Sequence, residues 1–111
     1  MSQEYLGRCY AAGTGGVVKD LETSVKWYHK AAEKGEVKSE YALGECYYSE
    51  KGVSRDFAQA YKWLNLALNQ GDLEPEKTEN AKRILSKLQV TMSQDEIAKA
   101  QQLLNQFNKT Q

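Results

Sequence analysis

One histidine, two cysteines and a glycine-rich loop are the residues whose types could support chemistry in this 111-residue chain. A Ser-His-Asp or Cys-His nucleophile needs a histidine base, so His29 would have to serve any such site. His29 sits on a polar face beside Lys26 and Lys30, with no second histidine or cysteine nearby. It is therefore read as a solvated surface residue and not as a metal ligand. Cys9 and Cys46 fall at the same place in two similar segments. If those segments stack as helices, the two positions lie roughly 8–10 Å apart, beyond disulfide reach. Both are expected to be free, buried thiols. The loop Gly13-Thr14-Gly15-Gly16 lacks the preceding strand and the following Lys-Ser/Thr of a phosphate loop. Trp27 and Trp63 suggest ligand stacking, but their helical register places both on core stripes. The same reading applies to Tyr10 and Tyr47. No set of convergent groups remains for a catalytic, metal or cofactor site, and the chain reads as a non-enzyme.

The elements that position these residues follow from composition and period. Lys plus Arg and Asp plus Glu are 15 each, giving a formal net charge of zero. That balance leaves no broad basic surface for nucleic acid and no polybasic patch for an anionic membrane. There is no apolar run of about 18 residues to span a bilayer, and the first residues lack the pattern of a secretory signal. As written, the chain is expected to be cytoplasmic. Were it part of a longer secreted parent, its compartment would be undefined.

Internal repetition is the strongest signal. Leu6-Gly7-Arg8-Cys9-Tyr10 matches Leu43-Gly44-Glu45-Cys46-Tyr47 at an offset of 37. Gly16-Val17-Val18-Lys19-Asp20 then matches Gly52-Val53-Ser54-Arg55-Asp56 at 36, and Lys26-Trp27 matches Lys62-Trp63. The one slip falls in a loop, as two copies of one structural unit would show. Each copy reads as a helical hairpin. In the second, a helix over about 38–49 is followed by Asp56 as N-cap, with Gln59 completing a capping box. A stripe of Ala60, Trp63, Leu64 and Ala67 follows, and Gly71 stops the helix. Asp20 and Gly35 play the same parts in the first copy. Gly7 and Gly44 lie inside helices, where glycine costs about 0.5–1 kcal/mol relative to alanine, so a close helix approach is the expected compensation. Residues 72–111 break the motif but stay helical. Pro75 suits a first turn, Ala81, Ile84, Leu85 and Leu88 form a stripe, and Ser93 with Glu96 forms a capping box.

The chain is thus expected to be a single all-α domain of about six antiparallel helices in stacked hairpins. Its divisions are repeat 1 (1–35), repeat 2 (36–71) and a divergent C-terminal pair acting as cap (72–111). The motif Leu-Gly-x-x-Tyr, Gly-Val-x-x-Asp, Lys-Trp-Tyr-x-Lys-Ala-Ala-Glu-x-Gly resembles the Sel-one-like repeat, a relative of the tetratricopeptide repeat. Residues 2–35 and 39–71 carry the resemblance. The segment from Met92 to Gln101 is similar to the tail that often closes such arrays. Glu50 stands where glycine is usual, and Asn65-Leu66 replaces a polar-Lys pair on what is read as an exposed face. The resemblance implies an α/α right-handed superhelix that works as a protein-interaction scaffold or adaptor. A cysteine-rich branch of the family that binds or hydrolyses β-lactams pairs two cysteines within each repeat, and this chain has one per repeat.

In such solenoids the first helix of each repeat lines the concave surface where peptides or partner helices lie. The face opposite the core stripe carries Glu4 and Arg8 in copy one and Lys38, Tyr41, Glu45 and Tyr48 in copy two. Glu4, Arg8, Tyr41, Glu45 and Tyr48 are the candidate partner-binding residues, with Tyr41 and Tyr48 expected side by side without core partners. The alternative is a dedicated regulatory or immunity-type inhibitor of one enzyme. Self-association through the N-terminal edge is a further expectation.

Overall fold

The computed structural model describes residues 3–109, and the side chains of 3–107. Six α-helices run α1 (Gln3–Ala12), α2 (Leu21–Glu33), α3 (Val37–Ser49), α4 (Phe57–Gln70), α5 (Pro75–Thr91) and α6 (Gln94–Lys109). No strand occurs among the described residues. The first four helices pack in chain order, α5 and α6 both pack on α4, and the body measures 44 × 26 × 25 Å. Hairpins α1–α2 and α3–α4 form, and α2 packs on α3 to join them.

Local chemistry sets the ends of these helices. Asp20 accepts hydrogen bonds from the Thr23 amide at 3.3 Å and the Thr23 hydroxyl at 2.9 Å. Asp56 accepts from the Gln59 amide at 3.2 Å. The reciprocal half of that expected box is absent because the Asp56 N–H donates instead to the Tyr47 carbonyl, at 3.2 Å. Asp20 does the same to the Tyr10 carbonyl at 2.8 Å, so each copy is stitched across its loop by one equivalent bond. Among the described residues only Ser93 and Glu96 form a complete box, each accepting from the other's amide at 3.2 and 3.0 Å. Glu50 ends α3 in the left-handed region at φ 60°, where Gly13 ends the first copy at 73°.

The helical glycines are explained by contact. A Cβ on Gly7 would lie 2.9 Å from the Tyr28 ring, and one on Gly44 would lie 2.7 Å from Leu64 Cγ. The buried Ser24 hydroxyl also donates to the Gly7 carbonyl at 2.7 Å, across the same approach. The last pair is built differently, since α5 and α6 each come closer to α4 than to one another. Ala81 lies as far after Gly44 as Gly44 does after Gly7, and it carries a methyl where they carry none. Ile84, Leu85, Leu88 and Met92, with Ile97 of α6, fill the wider space.

Four sequence expectations need correction. Trp63 is buried, its ring edge-on to His29 of α2 at 5.7 Å and to Phe107 of α6 at 5.2 Å. Trp27 is only half-buried, with Lys30 Nζ 4.8 Å from its ring centroid. The first hairpin has a helical neighbour on one side only among the described residues, so its tryptophan is covered from one side. His29 is half-exposed and not wholly solvated: one side of its ring packs edge-on to Trp63, and its Nδ1 lies 2.8 Å from Glu33. Leu66, placed on an exposed face by its departure from the motif, is buried with Val25 and Ala32. Cys9 is a buried free thiol as expected, whereas Cys46 is free but only half-buried.

Candidate functional site

A cleft of about 220 Å³ opens on the side formed by α1, α3 and α5. Its walls come from Glu4 and Arg8 of α1, Lys38, Tyr41, Ala42 and Glu45 of α3, and Glu74 and Lys77 at the start of α5, with Tyr28 of α2 below. Four of the five sequence candidates, Glu4, Arg8, Tyr41 and Glu45, are brought together here.

Their roles differ from the sequence reading. Tyr41 does not stand free of the core. It is buried, and its hydroxyl accepts a hydrogen bond from Asn80 Nδ2 of α5 at 2.7 Å. The same Asn80 nitrogen donates to Glu45 at 3.2 Å, so one α5 amide organises both α3 residues. Burial, the largest influence, pushes the Tyr41 phenol above its usual range. Tyr48 is not part of the cleft. It is half-buried, with its ring 6.0 Å from that of Phe57, and it edges a separate shallow concavity with Ser86, Lys87, Val90 and Thr91. Both errors share a cause: an inner helix of a solenoid contacts the following repeat as well as its own hairpin partner, so fewer of its faces are free.

Glu4 is nearly buried, its side chain 9% exposed, under the Nε of Arg8, whose side chain is 63% exposed. Arg8 also lies over the Tyr5 ring, 5.9 Å from its centroid. Glu74 and Lys77 form a loose pair at 3.9 Å, and Lys77 Nζ lies 5.9 Å from the Tyr41 ring centroid. Lys38 is exposed and makes no ion pair among the described residues. Burial pushes the Tyr28 phenol up to about 12, with Cys46 and Glu4 adding to the rise. That hydroxyl keeps its proton at any physiological pH and faces the cleft as a donor. Sequence reasoning missed Tyr28, Ala42, Glu74, Lys77 and Asn80. Tyr28 could have been found as the residue facing Gly7, but the α5 residues lie where the repeat motif has dissolved.

The cleft can hold a chain segment against a tyrosine floor by hydrogen bonds and charge. No group of three or more His, Cys, Asp or Glu side chains suited to a metal occurs among the described residues. No described helix is long and apolar enough to cross a membrane.

Stacked helical hairpins of about 36 residues, with first helices lining a common cleft, define an α/α solenoid of the tetratricopeptide-like class. The Sel1 repeat family matches residues 1–36 and 37–72, and the chain belongs to that family. It is similar to Chitin synthase regulatory factor 3 of Schizosaccharomyces pombe, 38% identical over 63 residues, covering 56% of this chain and 7% of that protein. It is also similar to the alginate biosynthesis protein AlgK of Azotobacter vinelandii, 30% identical over 103 residues, covering 91% and 20%. The chain thus spans at most a fifth of the length of these curated relatives. Among solved structures it resembles c5321, a protective antigen of uropathogenic Escherichia coli with an SLR fold. The TM-score is 0.80 at 31% identity, covering 96% of this chain and 22% of that one. A Sel1 repeat protein from Oxalobacter formigenes matches at TM-score 0.65 and 39% identity, covering 77% and 59%.

Proposed function

We propose that this chain is a non-catalytic interaction module that docks a protein segment in the cleft between α1, α3 and α5. Sel1 repeats are in general protein-interaction scaffolds, which sets the class. The observation that carries the site is the convergence of side chains from three successive inner helices on one cleft, over a floor of Tyr28 and Tyr41. A solenoid binds through such a continuous inner surface because each repeat adds one strip to it. The similarity to a chitin synthase regulatory factor supports a variant reading in which the partner is one enzyme under control. The half-covered Trp27 gives self-association through the α1–α2 edge a physical basis as well.

Affinity capture from the source cell tests the proposal, with wild type beside Ala42→Trp. Ala42 is half-buried in the cleft wall, so a large ring there is the substitution chosen to fill the cleft, with helical circular dichroism as the check that the fold is kept. A stoichiometric partner lost only with the filled cleft is the expected outcome. A partner retained by Ala42→Trp would place binding elsewhere, and recovery of one enzyme alone would select the regulator reading.

A further inference from the structure

We propose that Glu40 of α3 and Gln70 of α4 form a proton-controlled latch, which pins the α4–α5 connection to α3 while Glu40 is neutral and releases it when Glu40 ionises. The connection runs from Gln70, the last residue of α4, to Pro75, the first of α5. Two side-chain amides tie its flanks to α3. Gln70 Nε2 donates to Glu40 Oε1, and Asn80 Nδ2 donates to the Tyr41 hydroxyl and to Glu45. The Asn80 tie reaches Glu45 at a half-buried position, whereas the Gln70 tie ends on a carboxyl with no exposure at all.

This site suits the neutral acid and not the carboxylate. Glu40 Oε2 has no hydrogen-bond partner among the described residues, and a buried carboxylate needs donors on both oxygens to replace its lost hydration. Charged groups stand nearby without supplying them. Glu4 of α1, Glu36 and Lys38 of α3 and Asp72 after α4 line a shallow concavity, and Glu33 and Lys34 lie at the end of α2. The last turn of α4 carries no charge. Burial raises the Glu40 pKa from 4.5 to about 7, opposed by the Gln70 bond alone. Gln70 lines the concavity and Glu40 does not, so the Gln70 side chain stands between the carboxyl and water. Ionised Glu40 gains hydration when the end of α4 moves aside. Gly71 gives that end room, since nothing lies within 4 Å of where its Cβ would be. Glu74 and Lys77 follow directly and wall the docking cleft, so release loosens that wall. This consequence rests on the docking reading; the latch itself does not. The closed state holds a proton that the open state gives up at the ordinary carboxyl value of 4.5. Opening therefore becomes easier as pH rises from 4.5 to 7, and levels off above.

Hydrogen–deuterium exchange on the full chain, corrected for the intrinsic pH dependence of amide exchange, reads the opening. Protection over residues 68–80 should fall by about fiftyfold from pH 5 to pH 7.5, while α1 and α2 hold theirs. Glu40→Gln keeps an acceptor for Gln70 and cannot ionise, so the segment should stay protected at both pH values. Gln70→Ala, at an exposed residue, should lower its protection already at pH 5. Glu36→Gln removes the other carboxyl that burial raises at this concavity, and it should leave the fall intact. No fall in wild type, a fall of equal size in all helices, or one that persists in Glu40→Gln would overturn the proposal. So would a fall that vanishes in Glu36→Gln, or full protection of the segment in Gln70→Ala at pH 5. The docking reading fails separately: a partner retained by Ala42→Trp moves the docking site and leaves the latch standing.

Discussion

Replacing Glu40 with glutamine should make the fold more tolerant of neutral and alkaline pH. Glu40 is a fully buried carboxyl in α3. Its Oε1 accepts from Gln70 Nε2 at the end of α4, and its Oε2 has no hydrogen-bond partner among the described residues. Burial, only partly offset by the Gln70 bond, raises its pKa from 4.5 to about 7. Between those values the folded chain holds a proton that the unfolded chain has released. Stability is therefore fully present below pH 4.5 and falls as pH rises through 7. At about 1.4 kcal/mol for each tenfold change in proton affinity, that rise amounts to about 3 kcal/mol. Glutamine keeps an acceptor for Gln70 and cannot ionise. Urea unfolding of wild type and Glu40→Gln, in steps from pH 4.5 to 8.5, reads the difference directly. The variant should gain on wild type by about 3 kcal/mol across that range, or about 1–3 M in midpoint at a typical urea slope. A difference that stays flat with pH would refute the reasoning, because it would mean that Glu40 ionises in the folded state without cost.

The remaining predictions concern packing and backbone. Trp63→Ala should cost about 3–5 kcal/mol by denaturant unfolding, whereas Trp27→Ala, at a half-covered site, should cost less than half as much. Gly44→Ala should destabilise by about 1–3 kcal/mol, since its methyl would meet Leu64 Cγ at 2.7 Å and force the α3–α4 hairpin apart. Glu50→Gly should stabilise by about 1 kcal/mol in a thermal melt by relieving a left-handed residue that is not glycine.

The repeat made most of the fold legible, because matched pairs such as Gly7 and Gly44 or Asp20 and Asp56 carry the same local physics twice. Hairpin order, caps and helix stops follow from them. The cleft was only half legible. Arg8, Glu4 and Glu45 were visible from helical register alone. Tyr41 was misjudged because its cover comes from Asn80, beyond the end of the motif, and Tyr48 because Phe57 turns it to another surface. Leu66 shows the same effect in reverse. A departure from the pattern looked like surface variation, yet it buries an aliphatic side chain where the first copy has Lys30. Glu40 gave no sequence signal, since a carboxyl at a helical position reads as solvated until its neighbours are known.

Amine-reactive crosslinking of the chain to its captured partner, followed by mapping of the linked lysines, tests the docking site most directly. The cleft carries Lys38 and Lys77, while Lys26 lies on α2 and Lys99 on α6, away from it. Crosslinks concentrated at Lys38 and Lys77, and lost in Ala42→Trp, are the predicted result. Crosslinks at Lys26 or Lys99 that persist in Ala42→Trp would contradict the account.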